Sequence, residues 1–313
     1  MTLRSEIRGI LTGVSLVAAV VLVAISMPPR IPGQELLHSL RFHIALVCLV
    51  LPLLLLINGA WIRASLVGLL VALSLGQGAL IVRAQQATRA PLPGEDAPAF
   101  TLMSFNVLSS NRSGRELADY IIASAPDIAV IMEAPGIARY LPDLLQTFPY
   151  KLGCEGRATC DLMVLSRTPF TSGRVLPLYP LNRERLILGV TEIAGQSVNI
   201  VGVHLSKPYF DETANIELES VEDALIGVDG PMVLAGDLNA AAWSRSVARF
   251  VEQSGLEPPP SYPATWPVRA GAFGVPIDNV FSRHGAVIES ISATPSSFGS
   301  NHFGLIAKVR LAE

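Results

Sequence analysis

Charged residues are spread unevenly along this chain, and the gaps between them are long. Between Arg8 and Arg30 lie 21 uncharged residues, between Arg41 and Arg63 another 21, and between Arg63 and Arg83 a further 19. A helix rises about 1.5 Å per residue, so roughly 20 apolar residues span a hydrocarbon core about 30 Å thick. The pattern predicts three transmembrane helices, about 9–29, 42–62 and 64–82, within a membrane region 1–83. Three core helices of a soluble bundle would each keep a polar face, and these windows have none. A cleaved signal peptide after Arg4 and Arg8 would account for the first window only. Pro52 is expected to kink the second span. The short Asn58–Arg63 connection makes the second and third spans a tight hairpin. Gly9 and Gly13, and the series Gly68, Ala72 and Gly76, place small residues on one helix face, a weak signal for close approach. His43 is expected at a membrane edge, and the spans carry no Asp or Glu, which argues against an ion pump.

Residues 84–98, AQQATRAPLPGEDAP, read as a linker. Beyond it the pattern changes to strands and helices in alternation. FTLMSFNV (100–107) and IAVIME (128–133) read as buried strands. Ser113-x-x-Glu116 between them reads as a capping box opening a helix through LADYII. DLMVLSR, LILGVTEI, SVNIVGVHL and MVLAGD follow as strands, with an acidic helical segment before the last. IDNVFS, a stretch near 287–294 and GLIAKVRL close the chain. Some connections are only turns, as at Ala194-Gly195-Gln196. This combination implies an α/β fold with mixed sheets and outer helices over 99–313.

Composition sharpens the division. Half of the residues are hydrophobic and 16% charged, against about 25% charged in an average soluble domain, and the mean hydropathy is +0.45. Disordered, collagen-like and disulfide-scaffold classes are excluded. From Pro98 onward there are 16 basic and 22 acidic residues, a net of −6, with only Lys151, Lys207 and Lys308 as lysines. Strong duplex-DNA binding is not expected of such a domain, because backbone binding requires Lys and Arg at the phosphates. The seven acids between Asp211 and Asp229 read as a solvated helix face.

The chemistry sits at strand ends: Asn106 in SFNV, Glu133 in VIMEA, His204 in VGVHL, Asp237 and Asn239 in LAGDLNA, Asp278 in PIDNV, and Ser300-Asn301-His302. Each alone has a plain reading as a turn residue or a satisfied core group. Polar groups leaving the strand ends of one sandwich, however, converge on one edge, where function concentrates. In order and spacing the series resembles the endonuclease/exonuclease/phosphatase superfamily over about residues 99–311, with GDLNA its most specific piece. The resemblance implies a four-layer sandwich of two mixed β-sheets flanked by helices. It also implies phosphoester hydrolysis with Mg²⁺ or Mn²⁺. On that basis Glu133 is the main metal ligand, with Asn106 and Asn301 beside the metal. Asp237 orients or deprotonates water, and Asn239, Asn106 and His204 contact the phosphate. His302, steered by Asp278, stabilises charge or donates a proton. A hard divalent ion prefers carboxylate and other oxygen ligands, and a phosphoryl transition state gains from positive charge on its oxygens. Two departures stand out. Asn301 occupies the place of the Asp in the usual Ser-Asp-His, and Asn279 stands where many relatives have His or Tyr. Thr265-Trp266-Pro267 matches a segment that packs near the site in relatives.

The sequence therefore points to a membrane-anchored, metal-dependent phosphoesterase that hydrolyses a phosphodiester or a phosphomonoester, on a lipid headgroup, nucleotide or nucleic acid. The alternative is a catalytically degenerate member that works as a membrane-tethered binding module. Three spans place the domain opposite the N-terminus, and Arg4 and Arg8 hold that terminus inside. The expectation is a multi-pass inner-membrane protein with a periplasmic catalytic domain, although Arg30, Arg41, Arg83 and Arg89 outside weaken the bias. Cys154 and Cys160, with the five residues Glu-Gly-Arg-Ala-Thr between them, are expected to form a disulfide there, the alternative being two unrelated thiols.

Overall fold

The computed structural model describes residues 3–28, 33–155, 160–209 and 211–312. Its first part is helical: α1 (Leu3–Ser26), α2 (Gln34–Ser39), α3 (Arg41–Cys48), α4 (Val50–Ile57) and α5 (Trp61–Ala87). Two helices among the described residues are long and apolar enough to cross a membrane, Ser5–Ser26 and Trp61–Ala87, not the expected three. The window 42–62 fails because its helical part, Arg41–Ile57, is too short and is interrupted at Leu49. Pro52 lacks the N–H that would bond the Cys48 carbonyl, so the break falls one turn before it. The hairpin between α4 and α5 is present, closed by Asn58–Ala60.

In the expected small-residue stripe, a Cβ on Gly68 would stand 3.8 Å from Pro52 Cβ, an ordinary contact between α5 and α4. A Cβ on Gly9, Gly13 or Gly76 would meet nothing within 4 Å. The interior of this helical part is built instead from Ala18, Leu22, Ala45, Cys48 and Val71. The close approach is at Gly78, where a Cβ would stand 2.7 Å from the Phe42 ring. Helix α5 runs on to Ala87, into the segment expected as linker. The rest of that segment is tied to the sandwich. Ala90 N–H donates to Glu257 (2.8 Å), Arg89 to the Ile288 carbonyl (2.8 Å), and Arg310 to the carbonyls of Gly94 (3.0 Å) and Glu95 (2.6 Å).

The remainder holds two sheets. One has the order β10-β11-β1-β2-β4-β3, with β1 (Ala99–Asn106), β2 (Ile128–Met132), β3 (Tyr150–Leu152), β4 (Leu162–Ser166), β10 (Ala286–Ala293) and β11 (Leu305–Leu311). The other has the order β5-β6-β7-β8-β9, with β5 (Phe170–Leu178), β6 (Arg183–Ile193), β7 (Gln196–His204), β8 (Met232–Asp237) and β9 (Asp278–Arg283). Pairs β1/β2 and β7/β8 are parallel and the others antiparallel, so both sheets are mixed as expected.

Strand alternation sorts the side chains into layers. Leu102, Val130, Val164, Ile200, Val233 and Ala307 meet between the sheets. Met103 and Phe105 face the other way, onto Leu117 and Ile121 of α6 (Gly114–Ser124) and Leu144 of α7 (Leu141–Thr147). Val201 and Leu234 likewise meet Leu218 and Val221 of α8 (Thr213–Leu225) and Phe250 of α9 (Arg245–Gln253). The result is the expected four-layer sandwich. Two local expectations change. Helix α6 opens after Ser113, but the Ser113 side chain caps nothing, and Asn111 Oδ1 accepts the Ser113 N–H (2.8 Å). The acidic helix is not wholly solvated either. Glu217 is buried and accepts from Ser206 through N–H (2.6 Å) and Oγ (2.9 Å).

Candidate active site

The parallel pairs set the site. Asn106 ends β1 beside Met132 of β2, and His204 ends β7 beside Asp237 of β8, which in turn pairs with Asp278 of β9. Two sheet edges thus release their polar ends into one cavity of about 30 Å³, lined by Asn106, Glu133, His204, Asp237, Asn239, Asn301 and His302. Every expected site residue is therefore at this edge, with Asp278 directly behind His302.

Backbone geometry explains the motif residues. Glu133 and Asn239 both have φ near +52°, a region that side chains other than glycine's rarely enter. This turns each out of its strand and towards the cavity, where the surrounding bonds hold it. In GDLNA, a Cβ on Gly236 would collide with the Val203 carbonyl, so glycine lets β8 lie against β7 at the site.

Asp237 is the centre. Its Oδ2 lies 3.8 Å from His204 Nε2 and 3.9 Å from His302 Nε2, and it accepts from Asn106 Nδ2 at 3.0 Å. Its Oδ1 accepts the Asn239 N–H at 2.8 Å. Each imidazole has its own carboxylate at Nδ1: Asp278 at 2.8 Å for His302 and Asp161 at 2.6 Å for His204. Burial and the nearby Asp278 carboxylate push Asp237 upward, against the pull of the two imidazoles. Burial opposes the charged form of His302, but the carboxylates of Asp278 and Asp237 outweigh it and raise the imidazole to about 9. Burial also opposes ionisation of Glu133, yet hydrogen bonds from Ser109 N–H (2.8 Å) and Asn106 (3.3 Å) hold it below the usual carboxylate range.

The sequence reading missed Asp161, which joins His204 to Arg185 (3.1 Å). Burial alone would raise it, but these two partners keep it low. The only signal was an acid opening the otherwise apolar run DLMVLSR, directly after Cys160. Lys207 and Tyr209, also missed, line the cavity from the loop after β7. Burial and Asp237 raise the Tyr209 phenol. Trp266 lines the cavity too, and Thr265 Oγ1 accepts the Asp278 N–H (3.2 Å), so that segment packs at the site as expected. Cys154 and Cys160 are joined in a disulfide beside Asp161, while residues 156–159 between them lie outside the described ones.

The donor set suits a hard cation. Asp278 Oδ1 and Asn301 Oδ1 are buried oxygens without a hydrogen-bond partner among the described residues, and buried polar atoms are rarely left so. Ligand atoms of Asp237, Asp278 and His302 lie within 4.8 Å of one another, a cluster next to the expected Glu133, Asn106 and Asn301. Asn106 turns its nitrogen to Glu133 and Asp237 here, and its oxygen accepts the Leu108 N–H (3.2 Å). Ligation through that oxygen requires the amide to turn over.

Solved structures share the fold. An endonuclease/exonuclease/phosphatase from Beutenbergia cavernae DSM 12333 is 21% identical, covers 69% of this chain and 72% of its own, and has a TM-score of 0.56. A humanized TDP2 from D. rerio is 17% identical over 68% of this chain and 99% of its own, with a TM-score of 0.54. Sphingomyelinase C from Streptomyces griseocarneus is 18% identical over 67% and 99%, with a TM-score of 0.50. No curated protein sequence matches the chain. The family model for the endonuclease/exonuclease/phosphatase family matches residues 103–302, which include the whole set from Asn106 to His302, and the chain belongs to that family.

Proposed function

We propose that this protein is a membrane-anchored, divalent-metal-dependent phosphoesterase. The observation that carries the reading is Asp237, buried between two imidazoles that are each backed by a carboxylate. Asp237 Oδ2 orients the attacking water and takes its proton, a task suited to a carboxylate raised by burial. The water oxygen bonds phosphorus and the P–O bond to the leaving alcohol breaks. His302, protonated at neutral pH, gives its Nε2 proton to the leaving oxygen, while Asp278 holds the ring. Lys207 places positive charge on the phosphate oxygens, His204, its ring held by Asp161, contacts the phosphate, and Asn239 donates the amide proton it does not give to the Leu205 carbonyl (2.7 Å). A Mg²⁺ or Mn²⁺ held by Glu133 with the oxygens of Asn301 and Asn106 would neutralise phosphate charge.

Anchoring rests on α1 and α5. Only 17% and 22% of their most apolar windows are buried inside the protein, so most of that apolar surface is left to face lipid. The disulfide favours a domain on the oxidising side of the inner membrane. Asn301, an amide in place of the usual acid, is what favours a degenerate binding module, and the convergence on Asp237 opposes it. The deciding measurement is hydrolysis of bis(p-nitrophenyl) phosphate and of p-nitrophenyl phosphate by the full chain in detergent, with and without Mg²⁺. Turnover that chelation abolishes is expected, and no turnover at saturating Mg²⁺ or Mn²⁺ would sink the enzyme reading.

A further inference from the structure

The edge of the sandwich that carries the site also docks on the apolar helices. Directly after Asn239 and Ala240, Ala241 N–H donates to Ser39 Oγ (3.0 Å), Trp243 Nε1 to the Ser39 carbonyl (3.0 Å), and Gln85 to the Ala242 carbonyl (2.8 Å). Leu40, Phe42, Ile81 and Val82 pack on a cluster that contains Ile277 and Trp266, two walls of the catalytic cavity. A Cβ on Gly33 would stand 3.2 Å from the Tyr209 carbonyl, and His43 Nε2–H donates to the Phe273 carbonyl (2.8 Å). One layer of side chains thus separates the cavity from the domain-side ends of the helices.

Those ends fix a level in the bilayer. The opposite end of the bundle is closed by Arg8 on the Asn58 carbonyl and by Arg63 on Thr12 (2.9 Å). Helices that cross about 30 Å of hydrocarbon therefore bring Ser26 and Val82–Gln85 to the other boundary. At that level Phe273 is 78% exposed, and a groove of about 550 Å³ runs between α5 and the domain. Phe42, Val82, Trp243 and Tyr262 line the groove beside Arg83. Aromatic rings and a single cation are the side chains that favour a membrane–water boundary.

We infer that the catalytic cavity takes the phosphoester headgroup of a lipid lying in the same bilayer, with the acyl part left at the helix–domain junction. The inference rests on the phosphoesterase reading above. The helices that bring the cavity to the lipid also occupy one side of its rim, where a duplex would need room, and the net charge of −6 on the domain from Pro98 onward repels a polyanion.

The test uses the full chain reconstituted with Mg²⁺ in vesicles of phosphatidylethanolamine, phosphatidylglycerol and cardiolipin. Phosphorus NMR follows loss of intact lipid. Parallel arms hold the deacylated glycerophosphodiesters of the same headgroups, a single-stranded oligonucleotide, and bis(p-nitrophenyl) phosphate. Confinement to one surface raises the effective concentration, so the lipid should turn over on the order of tenfold faster than either natural soluble substrate at equal bulk concentration. Diluting the lipid in uncharged detergent at fixed bulk concentration should slow it. Equal or faster hydrolysis of the soluble headgroup or the oligonucleotide, or a rate indifferent to dilution, overturns the inference. Turnover of bis(p-nitrophenyl) phosphate without lipid loss overturns it while leaving the phosphoesterase intact, whereas no turnover in any arm overturns both.

Discussion

The two imidazole–carboxylate pairs approach one oxygen, Asp237 Oδ2, yet they are built differently. His302 and Asp278 are 5% and 1% exposed, and Asp278 opens β9, the last strand of its sheet, with its N–H held by Thr265. His204 is equally buried, but its partner Asp161 is 22% exposed and leads out of a disulfide-bonded loop. Asp278 meets a second carboxylate, Asp237, so the positive charge on His302 answers two acids at once. Asp161 meets a second cation, Arg185, so its charge is divided between two partners. The second carboxylate, beyond the distance to the first, is what strengthens the hold of His302 on its proton. The His302 pair is fitted to proton donation, and the His204 pair to holding its ring in place beside the phosphate.

The largest expected effect removes what the pairs share. Asp237→Ala, and equally His302→Ala, should lower kcat on bis(p-nitrophenyl) phosphate by about 10²-fold or more while the circular dichroism spectrum is unchanged. Wild-type turnover in both variants would remove the catalytic assignment. Next comes the direct contrast between the carboxylates. Asp278→Asn should cost on the order of tenfold more in kcat than Asp161→Asn, since only His302 must deliver a proton. The reverse order would exchange the roles of the two histidines.

Smaller still is the effect of the disulfide. Cys160→Ser, or reduction of the native protein, should slow turnover severalfold by loosening Asp161. It should add nothing in an Asp161→Asn background, because effects that act through one group are not additive. Asn301→Asp leaves both pairs in place and adds charge beside the metal site. It should tighten apparent Mg²⁺ affinity about tenfold, or ~1.4 kcal/mol, in titrations at fixed pH and substrate. Lower activity of that variant at saturating Mg²⁺ would instead mark the Asn301 amide as a donor to the phosphate.

The smallest effect is at the dock, away from both pairs. Burial would raise Glu35, but His38 and Ser246 outweigh it and hold the carboxyl below its ordinary value of 4.5. A depressed carboxylate stabilises the folded state above its unfolded pKa and loses that contribution as pH falls through the folded one. Amide exchange at Ala241–Ser246, corrected for its intrinsic rate, should therefore begin to rise only below about pH 4.5. A rise already at neutral pH would show that Glu35 does not hold the dock.

What the sequence determined by itself is what neighbours along the chain encode. Alternation in FTLMSFNV, SVNIVGVHL and MVLAGD specified the strands, and the polar residue closing each one marked Asn106, His204 and Asp237 as edge groups. Uncharged runs specified the apolar helices, because hydrophobicity adds up over a window whatever surrounds it. The tertiary structure decided what depends on two distant segments meeting. Asp161 reaches His204 across 43 residues only because β4 and β7 lie in facing sheets, and no local spacing carries that contact. The break at Leu49 was legible in Pro52 itself, whereas the packing of that broken helix on α5 was not. The seating of Ser39, Phe42 and Gln85 beside the site followed from shape and hydrogen bonding across two surfaces. Each of those surfaces is unremarkable in its own sequence, and the complementarity exists only once both have folded.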